Sequence, residues 1–251
     1  MSTDGLYRLL AWTSPTFPTG AFSYSHGLEA AAEDGVARDR ATLEAWIRAV
    51  VVRGSGRIDA DIMRDAWHAA SDGDNPALAE TIARGAAYRA TAELALESSQ
   101  QGAAFRAAHE AAWAEPHSNP PPQAGEGISL RQRTGALPPP QAGEDRGGGI
   151  GGGTCRAAAF GAAAARAGAT LDDALTAYLS AFAANLMSAG LRLGIVGQND
   201  GQRIVAALEP DIAAAVTACV SREAQDFGSA IFAVDLASMA HETQYSRLFR
   251  S

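Results

Sequence analysis

TLDDALTAYLSAFAANLMSAGLRLG, residues 170–194, decides the fold class. Its large apolar side chains, Leu171, Leu175, Tyr178, Leu179, Phe182, Leu186 and Leu193, with Ala189 among them, recur at helical spacing and line one face. Thr170 stands three residues before Asp173, a capping-box-like start in which Asp is shorter than the usual Glu or Gln. Gly194 and Gly197 end the stripe. The flanking sequence repeats the pattern. Leu43, Trp46, Ile47, Val50 and Val51 form a second stripe, broken by Gly54-Ser55-Gly56. A helix over about 58–70 carries Ile62, Met63, Ala66 and Trp67 and stops at the Asp- and Gly-rich run before Pro76. Helices are expected at about 77–88 and 91–114, although alanine blurs their buried faces. Another carries Ile212, Val216, Cys219 and Val220, with Pro210 in its first turn, and the last begins near Ser229 and reaches at least Glu242. No convincing period-two strand is present, so the expected fold is all-α: a single compact domain of about ten helices.

Composition narrows the chemistry. The chain has 251 residues and a formal charge of −8, and all 20 basic residues are arginine. Without lysine there is no P-loop lysine and no Schiff-base lysine. The acidic balance, with no arginine cluster, argues against nucleic-acid binding. Cys155 and Cys219 stand far apart without a CxxC pair, which reads as two free thiols in a reducing compartment. Leu6 to Trp12 is too short for a signal peptide, and no run approaches the ~18 apolar residues of a membrane span. A cytoplasmic protein is expected.

Between 116 and 153 the character changes. PPPQAGE occurs at 120–126 and again at 138–144, and GGGIGGG follows. Such a stretch lacks the apolar residues that offset ordering entropy and reads as a disordered insertion in a domain made of 1–115 and 154–251.

Catalytic templates fail. His109-Glu110 and His241-Glu242 begin like HExxH, but Trp113 and Tyr245 stand where the second histidine belongs. Gly54-Ser55-Gly56 lacks the spacing and context of a nucleophile elbow. GGGIGGG follows no strand, which removes a dinucleotide loop. A metal-dependent helical-bundle enzyme, the rival class, needs paired ExxH spacing, and none appears. A helical interaction adaptor is the third class.

Three blocks remain unexplained by folding alone. SPTFPTGAFSYSHGLE, residues 14–29, sets Pro15, Pro18 and Gly20 before Phe22, Tyr24, His26 and Glu29, which are expected to enter a helix. NLMSAGLRLG, residues 185–194, is followed by GQNDGQ at 197–202. HETQYSRLFRS, residues 241–251, runs aromatic and basic to the last residue. His26 fits a ligand, a pH-sensitive contact or a residue packed on Tyr24 or Phe22; Glu29, one turn on, could accept its ring N–H. Asn185, Ser188 and Arg192 share one helix face beside the apolar stripe, and Gly190 next to them suggests close approach of another backbone. Tyr245, Leu248 and Phe249 would form one apolar face if the last helix continued, with Arg247 and Arg250 beside it. The tail from Gln244 is expected to dock loosely until a partner orders it.

Together these blocks resemble the urease accessory protein UreF family, over roughly 5–112 and 155–251. The resemblance implies a non-catalytic chaperone that binds UreD (also called UreH), dimerises, and recruits the GTPase UreG to deliver nickel to apo-urease. No cofactor would be held stably; nickel is handled by the complex. Partner contacts are then expected at Phe17, Pro18, Gly20, His26, Glu29, Asn185, Ser188, Arg192, Gln198, Tyr245, Arg247, Phe249 and Arg250. His241 is the candidate nickel ligand, although Met239 two positions back is a poor ligand for such an ion. The insertion replaces the proline-containing apolar stretch that UreF proteins usually carry before the next helix; here Thr154-Cys155-Arg156-Ala157 stands instead.

Overall fold

The computed structural model describes residues 3–113, 155–229 and 231–251. Among them are eleven α-helices and no strand, which bears out the all-α expectation. The insertion expected at 116–153 lies outside the described residues.

The stripe read from residues 170–194 becomes α8 (Leu171–Arg192), capped by Thr170, whose hydroxyl oxygen accepts from the Asp173 N–H at 3.2 Å. The Thr170 hydroxyl in turn donates to the Asp173 carboxylate at 2.5 Å, so the short acid still closes the first turn. Leu175, Leu179 and Leu186 have no solvent exposure, and α8 is packed round by α1 (Thr3–Thr13), α2 (Leu28–Glu33), α3 (Arg40–Val52), α4 (Ser55–Asp72), α7 (Arg156–Arg166), α9 (Gln198–Ala207) and α10 (Glu209–Ser221). The remaining helices are α5 (Asn75–Ala87), α6 (Ala92–Ala112) and α11 (Phe232–Glu242), and short 3-10 turns lie at Ala21–Ser23 and Ala224–Asp226.

α4 and α7 make the most extensive helix pair. α7 reads RAAAFGAAAAR, and its small side chains let the two axes approach closely. A Cβ at Gly161 would strike the Met63 carbonyl oxygen of α4. Phe160, next to this glycine in sequence, meets Phe105, Trp12 and Tyr178. One continuous buried cluster draws on Leu9 to Phe105 before the insertion and Cys155 to Phe249 after it. Both cysteines are buried free thiols.

Several expectations need correction. α4 starts at Ser55, not near 58: Gly56 has no Cβ to strike the Val51 carbonyl, so α3 turns into α4 at a sharp corner. α11 starts at Phe232. Gly190 meets the Leu43 side chain, not another backbone; a Cβ there would lie 2.5 Å from Leu43 Cδ2. Two stretches, Leu171–Arg192 and Gln198–Ser221, are long and apolar enough to span a membrane by length and composition, against the expectation of none. The first is α8, the core helix; the second runs through α9, Leu208 and α10.

Candidate functional site

Residues 14–29 do not form the expected helix entrance. Gly20 (φ 73°) turns the chain into the Ala21–Ser23 turn, Tyr24 is extended (φ −126°, ψ 141°), and His26 takes a left-handed φ of 53°. Phe22, Tyr24 and His26 therefore stand outside any α-helix; only Glu29 lies in one, the six-residue α2. Gly27, also left-handed at φ 73°, sits against α11: a Cβ there would lie 2.7 Å from the Ser238 nitrogen. Glycine is required on both counts.

This close approach brings α2 and α11 together over α6, where a polar clamp forms. The Glu29 carboxylate accepts the N–H groups of Leu248 at 2.6 Å and Phe249 at 2.8 Å, and lies 3.2 Å from His241 Nε2. His241 Nδ1 lies 2.7 Å from Glu93, which also accepts from Arg247 at 2.5 Å. One turn along α6, Glu97 accepts from the Ser251 hydroxyl at 3.1 Å and from Gln101 at 2.7 Å, and lies 3.0 Å from His26 Nε2. Ser25 closes the ring, donating its N–H at 2.7 Å, and its hydroxyl, to the Ser251 carbonyl. Glu29, Glu97, His241 and Ser251 are all buried, so each polar atom depends on a protein partner.

The tail is thus docked on its own domain, contrary to the expectation that a partner must order it. α11 ends at Glu242, so Tyr245, Leu248 and Phe249 share no helical face: Phe249 is buried, Tyr245 fully exposed, Leu248 60% exposed. Glu29 is engaged with the tail and His241; the partner of His26 is Glu97, with Phe182 packed on its ring at 4.7 Å. The edge of α8 supports the same assembly. Asn185 donates to the Ala21 carbonyl at 2.9 Å, and Arg192 donates to the Phe22 carbonyl while lying 4.2 Å over the Phe249 ring. Burial pulls the Arg192 guanidinium below its ordinary pKa. Burial, and then the negative charge of Glu97, push the Tyr24 phenol up, opposed by Arg250. Phe17 packs on Phe105 at 5.4 Å, while Pro18, Gly20 and Ser188 line a cavity below the 13–22 loop. Gln198 is exposed at the start of α9 and makes no hydrogen bond to this group among the described residues.

Sequence reasoning missed Ser25, Glu93, Glu97 and Gln101. Glu93, Glu97 and Gln101 recur every four residues on a helix rich in alanine, the one signal that could have found them. It also missed a second buried polar set behind the clamp. There Asp59 accepts from Arg89 at 2.8 Å and from the Tyr178 hydroxyl at 2.8 Å, and Arg89 also donates to Cys155 Sγ at 3.0 Å. Burial alone would lower the Arg89 pKa; Asp59 and Cys155 outweigh it and hold the guanidinium above its ordinary value.

His26 Nδ1 lies 3.3 Å from Ser55 Oγ, giving a Ser–His–Glu connectivity. The cavity against His26 and Glu97 encloses only about 20 Å³ and Ser55 does not line it, so no substrate carbonyl fits beside that hydroxyl. Both ring nitrogens of His241 face carboxylates, and among the described residues no group of three or more His, Cys, Asp or Glu side chains is placed to hold a metal ion. The arrangement joins distant chain segments to one another.

Fold and site together define an all-helical protein whose polar centre locks its last residues onto the body. A sequence model of the UreF family matches residues 37–209. The chain is 42% identical over 246 residues to the urease accessory protein UreF of Granulibacter bethesdensis, covering 98% of this chain and 94% of that protein. It is 42% identical over 243 residues to that of Azorhizobium caulinodans (97% and 94%) and 37% identical over 249 residues to that of Brucella ovis (99% and 95%). The chain belongs to the UreF family of urease accessory proteins.

Proposed function

We propose that this chain is a non-catalytic scaffold for assembly of the urease nickel centre. It works in the cytoplasm, binds UreD (UreH), pairs with a second copy of itself, and in that complex receives the GTPase UreG, which delivers nickel to apo-urease. Nickel is cargo of the complex on this reading, and GTP turnover belongs to UreG.

The observation that carries the reading is the two-sided character of α11. Val234, Ser238 and His241 face inward. Phe232, Leu236 and Met239 lie on the other side at i, i+4, i+7 spacing, 79%, 63% and 48% exposed, and Tyr245 and Leu248 are exposed in the tail. An exposed apolar stripe at helical spacing is the composition of a protein interface and has no role in folding the core. The clamp holds its inward side rigidly, which lowers the ordering cost of docking. UreD is assigned to this surface.

Co-expression of UreD with an N-terminally tagged chain tests it. Phe232→Asp with Leu236→Asp should abolish co-purification of UreD and leave the melting temperature unchanged. Wild-type recovery of UreD with that variant overturns the assignment.

A further inference from the structure

A cavity of about 450 Å³ opens among α1, α5, α6 and α7, and among the described residues neither α11 nor any member of the clamp lines it. Leu78 and Ile82 of α5, Phe105 and Trp113 of α6, and Ala158 and Ala162 of α7 make its walls apolar. Leu78, Ile82 and Trp113 stay partly open to solvent, so this surface is not sealed within the core. The charges around it do not balance. Glu110 lies 3.6 Å from Arg106 and offsets it. Arg8 of α1 and Arg166 of α7 also line the cavity, and neither forms an ion pair among the described residues. Arg8 lies 5.8 Å over the Trp113 ring and Arg166 is exposed, which puts positive charge at the solvent side of apolar walls. His109, in the same lining, registers their field. Burial first, then Arg8 and Arg166, hold its pKa below the ordinary histidine value, and Glu110 only partly opposes them. Besides these groups, only the Trp113 indole brings a polar side-chain atom to the lining. A ligand with many polar atoms would leave them without partners here; one with an apolar body and a single anionic end would not.

We propose that this cavity binds a fatty acid of medium chain length. Its hydrocarbon chain lies against Leu78, Ile82, Phe105 and Trp113, and its carboxylate faces Arg8 and Arg166. The cations give selectivity more than affinity, because water screens them. The site does not depend on UreD or on the α11 surface.

Decanoate is the probe, titrated calorimetrically into the full chain below its micellar concentration. The Trp113 indole ¹H–¹⁵N resonance, assigned with Trp113→Phe, reports where it binds. Saturable binding that moves this resonance is expected, with decanol, which carries no charge, about tenfold weaker. Arg8→Gln with Arg166→Gln changes only side chains at the solvent side and should bring decanoate down to the affinity of decanol. Ala159→Phe, at a partly open position of the lining, fills the cavity while keeping both cations, and should abolish binding of both probes. The proposal is overturned by absence of saturable binding below the micellar concentration, by a Trp113 resonance that does not move, or by equal affinity for decanol in the unaltered chain. It is equally overturned by a preference for decanoate that survives loss of both arginines, or by unaltered binding in Ala159→Phe.

Discussion

α7 meets α4 through alanines and a glycine and sends Phe160 into the aromatic core beside it, whereas residues 241–251 meet α2 and α6 through carboxylates, an imidazole and backbone N–H groups. The first contact is set by shape. It has no polar atom to lose, so damage there is a loss of packed area felt by the whole core. The second is a chain of buried polar atoms in which each partner satisfies two or three others. Removing one member orphans its neighbours and should free the tail without opening the bundle. Helices shaped to each other should therefore fail globally, and a polar latch locally.

The contrast is testable from its strongest point downward. Phe160→Ala should lower global stability by about 3–5 kcal/mol, read as a shifted urea midpoint with an unchanged slope. A midpoint within error of wild type would remove α7 from its central role. Glu29→Ala leaves the Leu248 and Phe249 N–H groups and His241 without their acceptor, a loss of about 2–3 kcal/mol. Amide exchange at Leu248 and Phe249 should accelerate while α4 and α7 keep their protection; equal acceleration in α4 would erase the distinction between latch and core. Deleting 244–251 should accordingly lower the melting temperature, which removal of a loosely docked tail would leave unchanged. Gly161→Ala sharpens the shape half. An exposed helix gains up to ~1 kcal/mol from this change, but here the new Cβ meets the Met63 carbonyl, and a net loss of about 1–3 kcal/mol is expected by thermal melting.

The smallest effect is alkaline. Burial, and then Asp61 beside it, push the Cys219 thiol from 9.0 to about 12. The unfolded chain gives up this proton near pH 9 while the folded one keeps it, so the stability it contributes is complete below pH 9 and drains away as pH rises toward 12. Cys219→Ser should flatten the fall in urea midpoint over pH 9 to 10.5. An unchanged slope would show that the thiol titrates no differently when folded.

Legibility in the sequence followed side-chain contrast. α3, α8 and α10 could be read because large apolar residues stand out from polar ones at helical spacing. α7 was passed over because RAAAFGAAAAR offers no contrast between its faces, although it is among the most buried helices. The same blur hid the acidic face of α6. Residues 14–29 were recognised as unusual, but not their path: Gly27 was not read as a point of backbone contact, and that contact with Ser238 decides where Glu29 points. The tail misled for a simpler reason. Spacing of Tyr245, Leu248 and Phe249 fits a helix, but Glu29 captures the N–H groups of Leu248 and Phe249 before a further turn can form. Long-range polar pairing leaves no local sign in the tail of which partner its N–H groups will find.

Ser251 has no solvent exposure, and its carbonyl is held by Ser25. A purification handle, fluorescent fusion or immobilisation linker attached after it would have to exit through the latch and prise it open. Such a fusion would report a tail already displaced, and its binding data would describe the reagent. Handles placed ahead of α1, whose Thr3 and Asp4 are exposed, leave the latch shut.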